Sequence, residues 1–97
     1  MKNLADIQKV LRDHEEILRD KYKVKILGIF GSYVRGENRE DSDLDVLVEF
    51  SEGVSLLDHA AVQNYLTDLI GIRVDVVPKK NIRTELKDRI LNETVYF

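Results

Sequence analysis

Apolar residues recur at Leu4, Ile7, Val10, Leu11, Ile17 and Leu18 with the three- and four-residue spacing of one buried helical stripe. This spacing predicts an amphipathic helix over residues 4–22. Asn3 is placed to cap it, Asp6 favours the positive end of the helix, and His14 on the stripe edge reads as a packed helix residue. Residues 24–30, Val-Lys-Ile-Leu-Gly-Ile-Phe, are β-branched and aromatic enough for a largely buried strand. A break follows at Gly31-Ser32, then a short segment to Gly36 and a charged loop over 37–42. From 43 to 50 the period changes to two: Leu44, Val46, Val48 and Phe50 face one way, Asp43, Asp45, Leu47 and Glu49 the other.

A second helix is predicted from Ser55 to Ile70, opened by the Ser55/Asp58 capping pattern and closed by Gly71. Its stripe is read as Leu57, Ala61, Leu66, Leu69 and Ile70, with Tyr65 beside it. Residues 72–77 form a third strand ended by Pro78, with Ile72, Val74 and Val76 on one face and Arg73, Asp75 and Val77 on the other. A last helix is expected over 82–92 and a short edge strand over 94–97. The order α-β-(short α)-β-α-β-α predicts an α/β sandwich: a small mixed sheet with helices packed on one face.

Composition narrows what this fold can do. At 97 residues, one compact core is the expectation, so residues 1–97 are read as a single domain. The chain has no cysteine, which excludes disulfides, thiolate nucleophiles and cysteine-based zinc sites. No apolar run approaches the roughly 18 residues of a membrane span, and no charged-then-apolar leader opens the sequence, so a cytoplasmic protein without membrane contact is expected. Fifteen basic against 18 acidic residues give a net charge of −3, the wrong sign for direct binding of a nucleic-acid backbone. An acidic chain can still hold a polyphosphate if a divalent cation stands between them.

Two positions point to that arrangement. Asp43 and Asp45, at i and i+2 of a strand, would lie on one face about 6.6–6.8 Å apart at Cα. An Asp-x-Asp can be an ordinary solvated surface, yet Asp is depleted in strands, and two on one face repel unless a cation sits between them. Asp75 could supply a third ligand if its strand pairs with 43–50, and three hard oxygen donors suit Mg²⁺ or Mn²⁺ with substrate phosphates completing the shell. Gly31-Ser32, at a strand-to-helix junction, would present backbone N–H groups and a hydroxyl to a phosphate. It is neither a Walker loop nor a dinucleotide fingerprint. Ser42 is read as bracing the loop into the second strand and His59 as structural. Arg35, Arg39, Lys79 and Lys80 are each either a phosphate or partner contact or a solvated charge.

Gly31-Ser32-Tyr33-Val34-Arg35-Gly36 followed by Ser42-Asp43-Leu44-Asp45-Val46-Leu47-Val48 resembles the signature of the DNA polymerase β nucleotidyltransferase superfamily. The short chain and the Arg-Gly after Gly-Ser are most similar to the minimal nucleotidyltransferases (MNT), the antitoxins paired with HEPN toxins. Val34 departs from the usual Ala, a packing change behind the loop. The resemblance implies that Gly31 and Ser32 hold the triphosphate of ATP, that Asp43, Asp45 and Asp75 bind Mg²⁺ or Mn²⁺, and that AMP passes to a tyrosine of a HEPN-domain partner. A binding-only antitoxin and a small-molecule nucleotidyltransferase are the alternatives.

Overall fold

The computed structural model describes residues 3–97. Its elements are α1 (Leu4–Asp13), α2 (Glu15–Asp20), β1 (Val24–Phe30), α3 (Ser32–Arg35), β2 (Leu44–Phe50), α4 (Leu56–Ile70), β3 (Val74–Pro78), a 3₁₀ turn (Lys79–Asn81), α5 (Thr84–Glu93) and β4 (Val95–Tyr96). The strands form one mixed sheet ordered β3-β2-β1-β4. β2 runs antiparallel to β1 and parallel to β3, and β4 adds antiparallel to β1.

The core lies between the sheet and α1, α2 and α4. Ile7, Leu11 and Leu18 meet Ile29, Leu44, Val46, Val48 and Val76 from the strands and Val62, Leu66 and Ile70 from α4. Burying a side chain of this size contributes about 1.5–3 kcal/mol.

Several local expectations are corrected. The helix expected over 4–22 is two helices broken at His14, whose backbone leaves the helical region at φ −108°, ψ 12°. The His14 ring nitrogen Nδ1 hydrogen-bonds the Val10 carbonyl oxygen at 2.8 Å, inserting a side chain into the hydrogen-bond ladder at the bend. In α4 the buried stripe is Val62, Leu66 and Ile70, whereas Leu57 is 82% exposed and Ala61 is also exposed. Leu57 stands five residues before Val62, about 140° away around the helix, so it faces away from the sheet. Three strand and helix edges also move: Asp43 precedes β2, Ile72 and Arg73 precede β3, and the last helix begins at Thr84.

The predicted caps form. Asn3 Oδ1 accepts from the Asp6 N–H at 2.8 Å. The Ser55 hydroxyl oxygen accepts from the Asp58 N–H while the Asp58 carboxylate accepts from the Ser55 N–H, a reciprocal capping box. Ser55→Ala is expected to lower stability by about 1 kcal/mol, read as a lower urea midpoint at unchanged slope.

Two features of the sheet position the site. A bulge at Leu27 shifts the β1–β2 register between Ile26 and Gly28. Without it, Phe30 would share the core side with Val24 and Ile26; with it, Ile29 opposes Val46 in the core and Phe30 opposes Asp45. The outer edge of β3 is closed by α4. Val74 N–H donates to Thr67 Oγ1 and Val76 N–H to Gln63 Oε1, each at 3.0 Å, which removes two donors from an open edge.

Candidate active site

β2 and β3 pair so that Asp45 lies directly opposite Asp75. The condition for a third carboxylate is thus met by strand pairing. Asp43 stands just outside the ladder, 40% exposed at its side chain, with Oδ1 3.5 Å from Arg73 Nε. Arg73 itself is largely exposed, so this pair contributes little.

Asp45 is half-buried and perturbed by its surroundings. Burial, then the charge of Asp75 and of Asp43, push its carboxyl up to about 6, with Arg35 acting weakly in the other direction. Asp75 and Asp43 both act on the Asp45 charge, a repulsion that a divalent cation beside them would relieve. Among the described residues no group of three or more His, Cys, Asp or Glu side chains is gathered closely enough to hold a metal ion. Any Mg²⁺ bound here would take one or two carboxylates and fill its shell with water and substrate phosphates.

Gly31 joins this carboxylate pair to the turn expected to receive an anion. Its backbone, at φ 86° and ψ −156°, lies in a region open only to glycine, and a Cβ built on it would overlap Asp45 Oδ2. The chain then turns into α3, and Gly36, left-handed at φ 73°, ends that turn. Ser32 is half-buried at its start. The Gly31 N–H is engaged: it donates to Glu93 Oε2 at 3.1 Å. Glu93 Oε1 accepts from Arg35 Nη1 at 2.6 Å, and Arg35 Nε donates to Glu37 Oε2 at 2.9 Å. Arg35 is therefore tied across the turn rather than left as a free loop charge.

The remaining candidates separate. Ser42 braces its loop as expected, its hydroxyl oxygen accepting from the Arg39 N–H at 2.7 Å and its N–H donating to the Arg39 carbonyl at 3.1 Å. The Arg39 side chain is exposed. Lys79 and Lys80 follow the far end of β3, about 13 Å along the strand from Asp75, around a cavity of about 310 Å³ shared with Glu49 and Lys87. They are not part of the carboxylate site. His59 packs with its ring 5.6 Å from that of Phe50. Glu93 is the residue that sequence spacing missed: it is 62 residues from Gly31, at the end of the last helix.

A family model described as "Nucleotidyltransferase domain" matches residues 11–97. The chain belongs to the nucleotidyltransferase family. The protein adenylyltransferase MntA of Thermococcus cleftensis is 44% identical to it over 96 residues, covering 99% of this chain and 97% of its own. A solved structure of a candidate minimal nucleotidyltransferase is 40% identical, with a TM-score of 0.74 over 96% of this chain and 90% of that one. A chain from the complex of tri-AMPylated Shewanella oneidensis HEPN toxin with MNT antitoxin has a TM-score of 0.66 at 20% identity, covering 93% and 70% of the two chains, a likeness of fold. The present protein is thus a minimal nucleotidyltransferase, and an adenylyltransferase within that family.

Proposed function

We propose that this nucleotidyltransferase transfers AMP from ATP to a tyrosine hydroxyl of a partner HEPN-domain toxin and thereby neutralises it. The observation that carries this reading is the placement of Asp45 opposite Asp75 with the Gly31 backbone against its carboxylate. It supports reading these carboxylates as hard-metal donors beside a turn that would receive phosphate. The relatives' names, an adenylyltransferase and an antitoxin in complex with an AMPylated toxin, supply the acceptor class.

Asp43, Asp45 and Asp75 would hold Mg²⁺ or Mn²⁺, which when bound neutralises the triphosphate and lowers the acceptor hydroxyl's pKa. Gly31 and Ser32 would seat the phosphates, with Arg35 as a positive charge at the same turn. Transfer forms a bond between the tyrosine oxygen and the α-phosphorus and breaks the bond from that phosphorus to the bridging oxygen. Pyrophosphate leaves, and the hydroxyl proton passes to solvent. Asp75 is exposed, so a partner's side chain can approach the carboxylates from outside.

The test is the intact mass of the HEPN partner after incubation with this protein and Mg-ATP. Additions of one or more AMP units, each mapped to tyrosine, are expected. An unchanged mass alongside a stable complex would replace this reading with a binding-only antitoxin. Arg39 stays a candidate partner contact. Arg39→Glu weakening the complex without altering nucleotide affinity would support that role.

A further inference from the structure

Glu93 has two oxygens, and both are spent on the phosphate turn. One accepts from the Gly31 N–H at 3.1 Å, the other from Arg35 Nη1 at 2.6 Å. A backbone N–H paired with a guanidinium is the donor set that a phosphate oxygen pair would take in a charge-assisted, two-point contact. Here a carboxylate brought from the end of α5 already fills it. Glu93 is also half-buried and held below the usual carboxylate range. Burial opposes this shift, and the hydrogen bonds from Arg35 and from the Gly31 N–H outweigh it. The side chain is therefore an anion seated at the turn, close enough to Asp45 to add to the negative charge felt there.

The single Gly31 N–H cannot serve Glu93 and a nucleotide phosphate at once, and the Arg35 guanidinium is already oriented by Glu93 and Glu37. Asp45, Asp75 and Asp43 already repel a triphosphate before any cation arrives, and Glu93 adds a fourth negative charge on the side where the positive groups stand. An enzyme arranged for nucleotide alone would leave the Gly31 N–H and Arg35 open. We propose that Glu93 is an internal competitor for the triphosphate: its carboxylate occupies the subsite formed by the Gly31 N–H and Arg35, and nucleotide binding must displace it. This rests on the nucleotidyltransferase reading of the turn and goes beyond it by assigning Glu93 the role of a built-in gate on nucleotide affinity. A positioning role for Glu93, in which it holds Arg35 ready for phosphate, is the opposite prediction.

The experiment is the Kd for Mg-ATP of the wild-type protein, Glu93→Ala and Glu93→Gln, each shown to fold by circular dichroism and thermal melting. Inorganic tripolyphosphate is titrated as a probe of the phosphate subsite and adenosine as a probe lacking phosphate. Displacement predicts that both variants bind Mg-ATP and tripolyphosphate about tenfold more tightly than wild type, the scale of one charge-assisted contact, with adenosine unchanged. Glu37→Gln is the control for bulk charge, because Glu37 pairs with Arg35 at 2.9 Å without touching Gly31. It should change affinity by less than about twofold. Weaker binding in Glu93→Gln, or equal tightening in Glu37→Gln, overturns the proposal. Wild-type protein that binds neither Mg-ATP nor tripolyphosphate overturns the nucleotide reading itself, and the gate with it.

Discussion

Asp45→Asn is expected to lower AMP transfer by about a thousandfold or more while making the metal-free protein more stable. The loss follows from charge. An amide cannot replace a carboxylate as a hard-metal donor, and about 4 kcal/mol of lost transition-state stabilisation corresponds to about a thousandfold. The gain in stability follows from the same residue's surroundings. Its carboxyl is pushed up to about 6 by burial, then by Asp75 and Asp43, from 3.8. Between those values the folded chain holds its proton more tightly than the unfolded chain does. Stability of the metal-free protein therefore falls as pH rises through that window, with the full penalty present above about pH 6 and none below about pH 4. Two pKa units would amount to roughly 3 kcal/mol, and partial exposure of the site reduces this to about 1–2 kcal/mol. Melting curves in EDTA between pH 4 and 7 should show wild type losing roughly 5–10 °C relative to the Asn variant. A variant that retains transfer within about threefold of wild type would remove Asp45 from the metal site. A variant less stable than wild type at pH 7 would remove the repulsion argument.

This pairing of lost activity with gained stability separates a functional carboxylate from a structural one, and it bears on what the sequence could disclose. The alternation at Leu44, Val46 and Val48 is carried by three fully buried side chains, so β2 and its core face were legible. Asp45 and Asp75 were legible as a pair for a related reason: strand period puts each opposite an apolar core face, and only parallel pairing of β2 with β3 was needed to bring them together. The break at His14 was not legible. The stripe through Ile7, Leu11 and Leu18 continues across it, and the periodicity does not reveal a ring that takes a backbone carbonyl. Leu57 misled for a different reason, since an apolar residue in the first turn of α4 fits a loose stripe until the angular position of Val62 is known. Glu93 could not have been found from spacing, because its link to Gly31 and Arg35 depends on where α5 ends relative to β1. Motifs local in sequence were readable, and contacts made by chain closure were not.

Gly31→Ala is expected to cost about 3 kcal/mol of stability and to reduce transfer to background, because one position joins the backbone turn, the Asp45 carboxylate and the proposed phosphate subsite. At φ 86° and ψ −156° an L-residue carries a conformational penalty of about 1–3 kcal/mol. The added methyl would also overlap Asp45 Oδ2, so either the half-buried Asp45 carboxylate or the Gly31 backbone must move. Relief by moving Asp45 displaces the proposed metal donor. Relief by moving Gly31 shifts the N–H that anchors Glu93 and turns the chain into α3. Either route damages the site, so the activity loss should exceed anything explained by the unfolded fraction. The double variant Gly31→Ala, Asp45→Gly distinguishes the two costs. Removing the Asp45 side chain abolishes the overlap, so stability should recover by the steric share while the backbone share remains, and activity should stay absent. Urea midpoints for wild type, both single variants and the double variant give the coupling energy directly. A coupling near zero would mean that the Gly31 requirement lies in backbone conformation alone, and that the Asp45 carboxylate moves freely beside it.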